Sequence, residues 1–343
     1  MPADRISIVI PCRNEAREIG PVLDSILAQD FAGSDWEIIV ADGMSDDGTR
    51  ATLESYQRAE PRIRVIENAS QAVPAGLNLA IRAAQGDVVL RMDAHTSYAA
   101  DYVRRCVETL ASVDAENVGG PARTRPKGYW GRAIAAAYHS RVACGGARFH
   151  DPNYEGWVDT VPYGCWRKST LLRIGLFDER LIRNQDDELN LRLLRAGGRI
   201  WQSPTIVSWY QPRSSLRNLL LQYFQYGFWK VAVIRKHRMP ASWRHLVPPA
   251  FVGANFAIPV AGLAVPPLIT LWAALLGLYL AICLFASADC ARKSGWLLLP
   301  SLPLVFFAYH FSYGAGFLAG MCYWPFVKPE AEAPKSVFTQ ASR

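Results

Sequence analysis

The sequence predicts an α/β domain built on a mostly parallel sheet with helices on both faces, followed by an α-helical tail that crosses a membrane. Three observations carry this. Buried-strand runs alternate with helical spacing four times within the first 110 residues, the pattern of a wound parallel sheet. Residues 246–288, 43 in succession, contain no Asp, Glu, Lys, Arg or His. Residues 294–327, 34 in succession, contain no ionisable group of that kind except His310. Water-soluble domains do not hold charge-free stretches of this length. The chain therefore divides into a soluble domain over 1–210, a basic amphipathic segment over 211–245, two to four membrane helices within 246–327 and a polar tail over 328–343.

The elements follow in order. Residues 6–10 form a β-rich run stopped by Pro11, and 16–29 place Ile19, Val22, Leu23, Ile26 and Leu27 on one helical face. A second strand is expected over 37–41, with Asp46, Asp47 and Gly48 marking a loop and a helix start, capped by Asp47 or Thr49. A third strand covers 63–66. A helix follows over 74–84, with Gly86 as its stop. The fourth strand, 88–92, ends in Asp93-Ala94-His95, and a helix covers 102–110. In the tail, a straight helix of 43 residues would run about 65 Å against a hydrocarbon thickness of about 30 Å. Two crossings with a turn near Pro266-Pro267 are expected, with Arg292 and Lys293 facing the cytoplasm. The second apolar block is one long crossing or a re-entrant pair.

Charge is unevenly placed. The net +7 arises from 37 basic and 30 acidic residues. The whole excess sits in 211–245, as Arg213, Arg217, Lys230, Arg235, Lys236, Arg238 and Arg244, with no acid among them. That is the signature of a cytoplasmic juxtamembrane segment drawn to anionic membrane lipid. No nucleic-acid motif accompanies it, so nucleic acid is not an expected partner. The seven cysteines show no C-x-x-C spacing, which leaves a disulfide framework or zinc site unsupported. No signal peptide is read at the N-terminus. The expected location is the inner (cell) membrane, with the catalytic domain cytoplasmic. The first strand runs into Pro11-Cys12-Arg13-Asn14-Glu15 rather than G-x-G-x-x-G, and no G-x-x-x-x-G-K-[ST] occurs. Neither ordinary NAD binding nor P-loop chemistry is expected.

Ligands of wound sheets bind beyond the carboxyl ends of the strands, and Glu15, Asp42 and Asp93 follow three such ends. Asp93 and His95, two residues apart, can face one divalent ion that also binds a diphosphate; the alternative is a turn with a solvated imidazole. Asp42 can accept a hydrogen bond from a base N–H or a ribose hydroxyl. Glu15 can do the same, or serve as charge in a first helical turn. Asp186, Asp187 and Glu188 precede the helical run Leu189, Leu191, Leu193 and Leu194. They are helix N-terminal acids, or one of them is a general base for an acceptor hydroxyl.

These motifs carry a resemblance. The runs from Ser7 to Glu15 and from Asp42 to Thr49, together with Asp93-Ala94-His95, Pro162-Tyr163-Gly164, Gly175 to Glu179 and Gln185-Asp186, resemble the inverting family 2 glycosyltransferases of GT-A fold over about residues 5–230. Within that family the chain looks like the bacterial succinoglycan-type exopolysaccharide glucosyltransferases, through Pro212 to Leu216, Tyr226-Gly227 and the apolar tail. The resemblance implies that Pro11, Arg13, Glu15 and Asp42 hold the nucleoside of a UDP-sugar. By it, Asp93 contacts ribose and a metal-bound diphosphate, and His95 ligates that metal, Mn2+ or Mg2+. Asp186 is then the catalytic base, and Gly164, Trp166 and Asp187 lie on the acceptor side, with Arg167 and Lys168 near the same cleft.

The sequence departs from the family at three places. His95 replaces the second Asp of the commoner triplet, and imidazole suits Mn2+ better than Mg2+. Gln185 replaces a Glu beside the base. Gln222 to Tyr226 lacks the Gln-x-x-Arg-Trp of processive members, so one sugar is expected per transfer. The implied activity is a membrane-associated, metal-dependent transfer from a nucleotide-sugar donor to a lipid-linked saccharide acceptor in exopolysaccharide or cell-surface glycan synthesis. The segment 213–245, with Tyr223, Phe224, Tyr226, Phe228, Trp229 and Trp243, is expected to lie on the membrane and to anchor the chain or present the acceptor. Two alternatives stay open: a polyprenyl-phosphate sugar transferase, whose phosphate nucleophile needs no base, and a non-enzymatic membrane scaffold of polysaccharide export.

Overall fold

The computed structural model describes residues 5–327, so the expected polar tail over 328–343 lies outside the described residues. The chain forms two compact units. The first joins the chain up to Thr124 with Arg148–Gln211, and the second joins Arg125–Ala147 with the chain from Pro212 onward.

The first unit carries the strands β1 (Ile6–Cys12), β2 (Trp36–Asp42), β3 (Ile63–Glu67), β4 (Val88–Arg91), β5 (Thr96–Tyr98), β6 (Asn117–Gly119), β7 (Arg123–Thr124), β8 (Gly156–Val158), β9 (Cys165–Arg167), β10 (Ile200–Gln202) and β11 (Ser208–Tyr210). An eight-stranded sheet has the order β3-β2-β1-β4-β9-β6-β10-β8, and β5-β11-β7 form a small second sheet. The pairs among β3, β2, β1 and β4 are parallel, as is β6 with β10. β9 runs antiparallel to both β4 and β6, and β8 antiparallel to β10. The predicted parallel sheet is thus its first half, and the whole is mixed. The reversal enters through Tyr163 and Gly164, whose φ values of 62° and 98° turn the chain into β9. A Cβ at Gly164 would overlap the Trp166 ring, so this turn requires glycine.

Strand alternation sorts the core into two faces. Ile8, Ile10, Ile38, Val40 and Leu90 pack with Leu23, Ile26, Leu53 and Val103 on one side. Val9, Ile39, Ala41 and Val89 pack with Leu77, Ile81, Leu171, Leu189 and Leu193 on the other. The helices Ile19–Leu27, Thr49–Ala59, Val73–Ala83 and Tyr102–Ser112 lie where the apolar spacing puts them. Gly86 is not a helix stop. The preceding helix ends at Ala84 in extended backbone, and a Cβ on Gly86 would stand 2.5 Å from the Arg5 carbonyl oxygen. Close approach to β1, not a left-handed cap, is what demands glycine there.

The second unit is helical. Its longest amphipathic element is Leu216–His237, begun by Ser215, whose hydroxyl accepts from the Asn218 N–H at 3.2 Å. Phe228 and Trp229, expected on a membrane surface, are buried here against Tyr323 and Trp324, whereas Trp243 is exposed. The apolar blocks form the helices Val247–Gly262, Pro267–Ser294, Leu302–Phe307 and Tyr313–Tyr323, the last two joined by a π-helical turn, Ala308–Ser312. Pro267–Ser294 and Leu302–Phe326 are long and apolar enough to cross a membrane. The 16 residues of Val247–Gly262 span about 24 Å, and the chain breaks before Pro266-Pro267 as the sequence implies.

Candidate active site

At the carboxyl ends of β1 and β2, two loops are clipped together. The Asn14 side chain donates to Asp46 Oδ1 at 2.9 Å and accepts from the Asp46 N–H at 3.1 Å. The backbone N–H of Asn14 reaches Ser45 Oγ, and that of Glu15 reaches Thr49 Oγ1, at 2.9 and 2.8 Å. The expected cap by Asp47 or Thr49 falls instead on Gly48, at φ 98° and without a side-chain cap, while Asp47, one residue earlier, accepts from the Thr49 N–H through Oδ1 at 3.0 Å. Burial of Glu15 and Asp42 follows from this interlock. Asp42 is 1 % exposed and accepts from Ser45 Oγ at 2.5 Å, the Ser45 N–H at 3.2 Å and Arg50 Nε at 2.8 Å. Pro11 is half-buried beside them, and Arg13 is exposed.

Beyond β4, Asp93 follows Arg91 and Met92. Arg91 shares the sheet face of Val89, the face on which the helix Gln185–Arg195 docks through Leu189 and Leu193. Its guanidinium therefore meets the first turn of that helix. Nε and Nη2 donate to the two oxygens of Asp93 at 2.8 and 3.2 Å, and Nη1 donates to Asp186 Oδ1 at 2.5 Å. Arg91 is 5 % exposed. Burial works to lower its pKa, but the carboxylates of Asp186 and Asp93 outweigh it and hold the group above the ordinary arginine value. Asp186 keeps 42 % of its side chain accessible yet is crowded by protein. Burial raises its pKa, Arg91 pulls it down, and Asp93 and Asp187 push it up again, with a net upward direction. Burial likewise lifts the phenols of Tyr98 and Tyr163, which stay protonated. Tyr98 Oη accepts the Asp93 N–H at 2.6 Å, and Tyr163 pairs with Thr96 at 2.7 Å.

The structure thus brings Asp93 and Asp186 to one guanidinium and puts His95 Nδ1 3.5 Å from Glu15 Oε1. Asp187 lies half-buried beside Asp186. Trp166 does not join them. It is 2 % exposed, sits in the core and meets Phe177 edge-on, so its ring is not offered to an acceptor. Gly164 is buried and acts on the site through its backbone, its carbonyl accepting the Arg91 N–H at 3.2 Å. Lys168 donates to the Ala84 carbonyl. Among the described residues no group of three or more His, Cys, Asp or Glu side chains converges on one point. Asp93 and an exposed His95 are a carboxylate and an imidazole, a donor pair suited to Mn2+. Arg91, Arg50, Ser45 and Tyr98 were not singled out by the sequence. Arg91 carried a signal all the same: an arginine closing a buried strand must find counter-charge.

The family profile described as glycosyl transferase family 2 matches residues 7–171. The chain is 32 % identical over 273 residues to the succinoglycan biosynthesis protein ExoA of Rhizobium meliloti, covering 78 % of this chain and 82 % of that protein. It is 28 % identical over 324 residues to a dolichyl N-acetyl-α-D-glucosaminyl phosphate 3-β-D-2,3-diacetamido-2,3-dideoxy-β-D-glucuronosyltransferase of Methanococcus voltae, covering 92 % and 97 %. Among solved structures it is similar to a mannosyltransferase from Pyrobaculum calidifontis in complex with GDP-Man and Mn2+, with a TM-score of 0.59, 20 % identity and coverage of 89 % and 86 %.

Proposed function

The chain belongs to glycosyl transferase family 2, and from that premise we propose that it transfers one sugar, with inversion, from a UDP-sugar to a lipid-linked saccharide in exopolysaccharide or cell-surface glycan synthesis. The observation that carries this reading is the joint hold of one buried guanidinium on Asp93, beyond β4, and on Asp186, in the first turn of a helix. A donor carboxylate and a base then address one space.

Asp186 fits the base. Its carboxylate is accessible to an acceptor hydroxyl, and its raised pKa makes it a better proton acceptor than a free aspartate. The acceptor oxygen gives its proton to Asp186 and forms a bond to the anomeric carbon, while the diphosphate leaves from the opposite face with the bonding pair. Asp42 and Glu15 orient the nucleoside from the interlocked loops. When bound at Asp93 and His95, a divalent ion, Mn2+ or Mg2+, offsets the charge that gathers on the diphosphate. The Mn2+ in the Pyrobaculum structure supports that ion, and the dolichyl phosphate saccharide in the name of the Methanococcus relative supports a lipid-linked acceptor. The helices Pro267–Ser294 and Leu302–Phe326 support attachment to the inner (cell) membrane, with the basic segment before them on the cytoplasmic side.

The test is incubation of membranes holding the full chain with a panel of radiolabelled nucleotide sugars, followed by lipid extraction. One label is expected in a lipid-linked product. Asp186→Asn is expected to lower turnover by about 10²–10⁴-fold with UDP binding kept. A variant that turns over normally would instead indicate a phosphate nucleophile. Absence of metal-dependent binding of any nucleotide in the panel would leave only a scaffold.

A further inference from the structure

We propose that Arg91 is the positioning residue of this transfer: acting through Asp186 and Asp93, its guanidinium sets base and donor carboxylate in one geometry. The proposal rests on the reading of Asp186 as base given above.

The argument begins with the strand. Arg91 is the last residue of β4, paired with Val9 of β1. Its N–H is held by the Gly164 carbonyl on the other side. Its backbone is therefore fixed from both flanks. A buried guanidinium needs counter-charge, which Asp93 supplies through Nε and Nη2 and Asp186 through Nη1. Asp186 lies 95 positions away in the chain and on a separate helix, so one cation ties two distant parts of the fold together. Asp186 keeps 42 % of its side chain accessible. What Arg91 gives it, besides charge, is direction: Oδ1 is fixed on Nη1. The planar fork of arginine can hold both carboxylates at once, whereas a lysine ammonium, a point charge on a flexible stem, cannot fix their relative orientation.

The experiment uses the full chain in membranes, the nucleotide sugar that labels lipid in the panel for turnover, and UDP with Mn2+ for binding. Arg91→Lys and Arg91→Ala are expected to lose about 100-fold or more in kcat, while the UDP dissociation constant rises less than about tenfold. Added guanidinium is expected to restore turnover to Arg91→Ala. In an Asp186→Asn background the further loss from Arg91→Ala is expected to be smaller than in the wild type, because residues that act as a unit are not additive and what remains is the part exerted through Asp93. The proposal is overturned if Arg91→Lys keeps wild-type kcat while Asp186→Asn is inactive. It is overturned equally if the loss lies in UDP affinity with kcat intact. Should Arg91→Ala fail to fold, Arg91→Lys, which keeps charge and bulk, decides. Full turnover by Asp186→Asn is the distinct result that removes the reading beneath the proposal, and the proposal with it.

Discussion

Arg50 Nε lies 2.8 Å from Asp42 Oδ2, so the carboxylate at the end of β2 is held by a helix as well as by its own loop. Ser45 supplies two further hydrogen bonds to the same carboxylate. If Asp42 receives the nucleoside, Asp42→Ala removes a charged acceptor. A hydrogen bond to a charged group is worth about 1.5–3 kcal/mol, or about ten- to a hundredfold in UDP affinity. Arg50→Ala leaves both Ser45 contacts in place and is expected to weaken UDP by less than Asp42→Ala. Titration calorimetry on the two variants checks the order, and equal losses would show that Arg50 itself binds the nucleotide.

Removal of divalent metal is expected to stop transfer, with Mn2+ restoring it better than Mg2+. The donor pair includes an exposed imidazole, and imidazole favours transition ions over Mg2+. His95→Asp exchanges that imidazole for a hard oxygen ligand. The variant is expected to lower the ratio of Mn2+-supported to Mg2+-supported rate. An unchanged ratio, measured after chelation and add-back, would remove His95 from the metal site.

How much of this was legible beforehand differs between elements. The alternation of Ile8, Ile10 and Val9 around β1 and the helical stripe of Ile19, Leu23 and Ile26 put both core faces in the sequence. Burial period is a local property. β9 was not legible, because three residues, Cys165–Arg167, are too few to show a period, and their direction depends on the turn at Tyr163-Gly164. Trp166 read as a cleft residue because an indole beside basic residues fits a surface as well as a core. The joint hold of Arg91 on Asp93 and Asp186 was also hidden, since contacts between residues 95 apart leave no spacing to read. Residues 125–147 pack with the second unit, an association between distant parts of the chain that local pattern does not reveal. The clip between Asn14 and Asp46 was half visible: the turn residues were evident, their partners were not.

Glu37 gives the stability of the sheet a pH dependence of known sign. It is 2 % exposed and accepts from Ser7 Oγ at 2.8 Å, the Gln85 N–H at 2.5 Å and Arg64 Nη1 at 3.0 Å. Burial pushes its pKa up, but these donors outweigh it and hold the carboxyl below its ordinary 4.5. A carboxyl lowered on folding stabilises the fold above its unfolded pKa, and that stabilisation is lost as pH falls through the folded value. Glu37→Gln is therefore expected to lower the melting temperature at pH 7. The gap from wild type should begin to close below about pH 4.5. A gap that stays constant from pH 7 into the acid range would mean that the charge of Glu37 is not what the donors recognise.

In the second unit the helices Leu216–His237 and Tyr313–Tyr323 approach each other through glycine. A Cβ on Gly227 would overlap the Tyr313 carbonyl, and one on Gly316 would overlap that of Phe224. Each glycine thus lets the backbone of the other helix come close, as small residues do between apolar helices. Gly316→Leu has no flexible neighbour to displace, because what it meets is main chain. Overpacking of this kind costs about 1–3 kcal/mol or more, so the variant is expected to unfold at a lower temperature in detergent. Gly277 has nothing within reach of an added Cβ, so Gly277→Leu serves as the control of equal bulk and is expected to melt near wild type. Equal losses in the two variants would show that bulk in an apolar helix, and not the close approach of these two backbones, sets the stability.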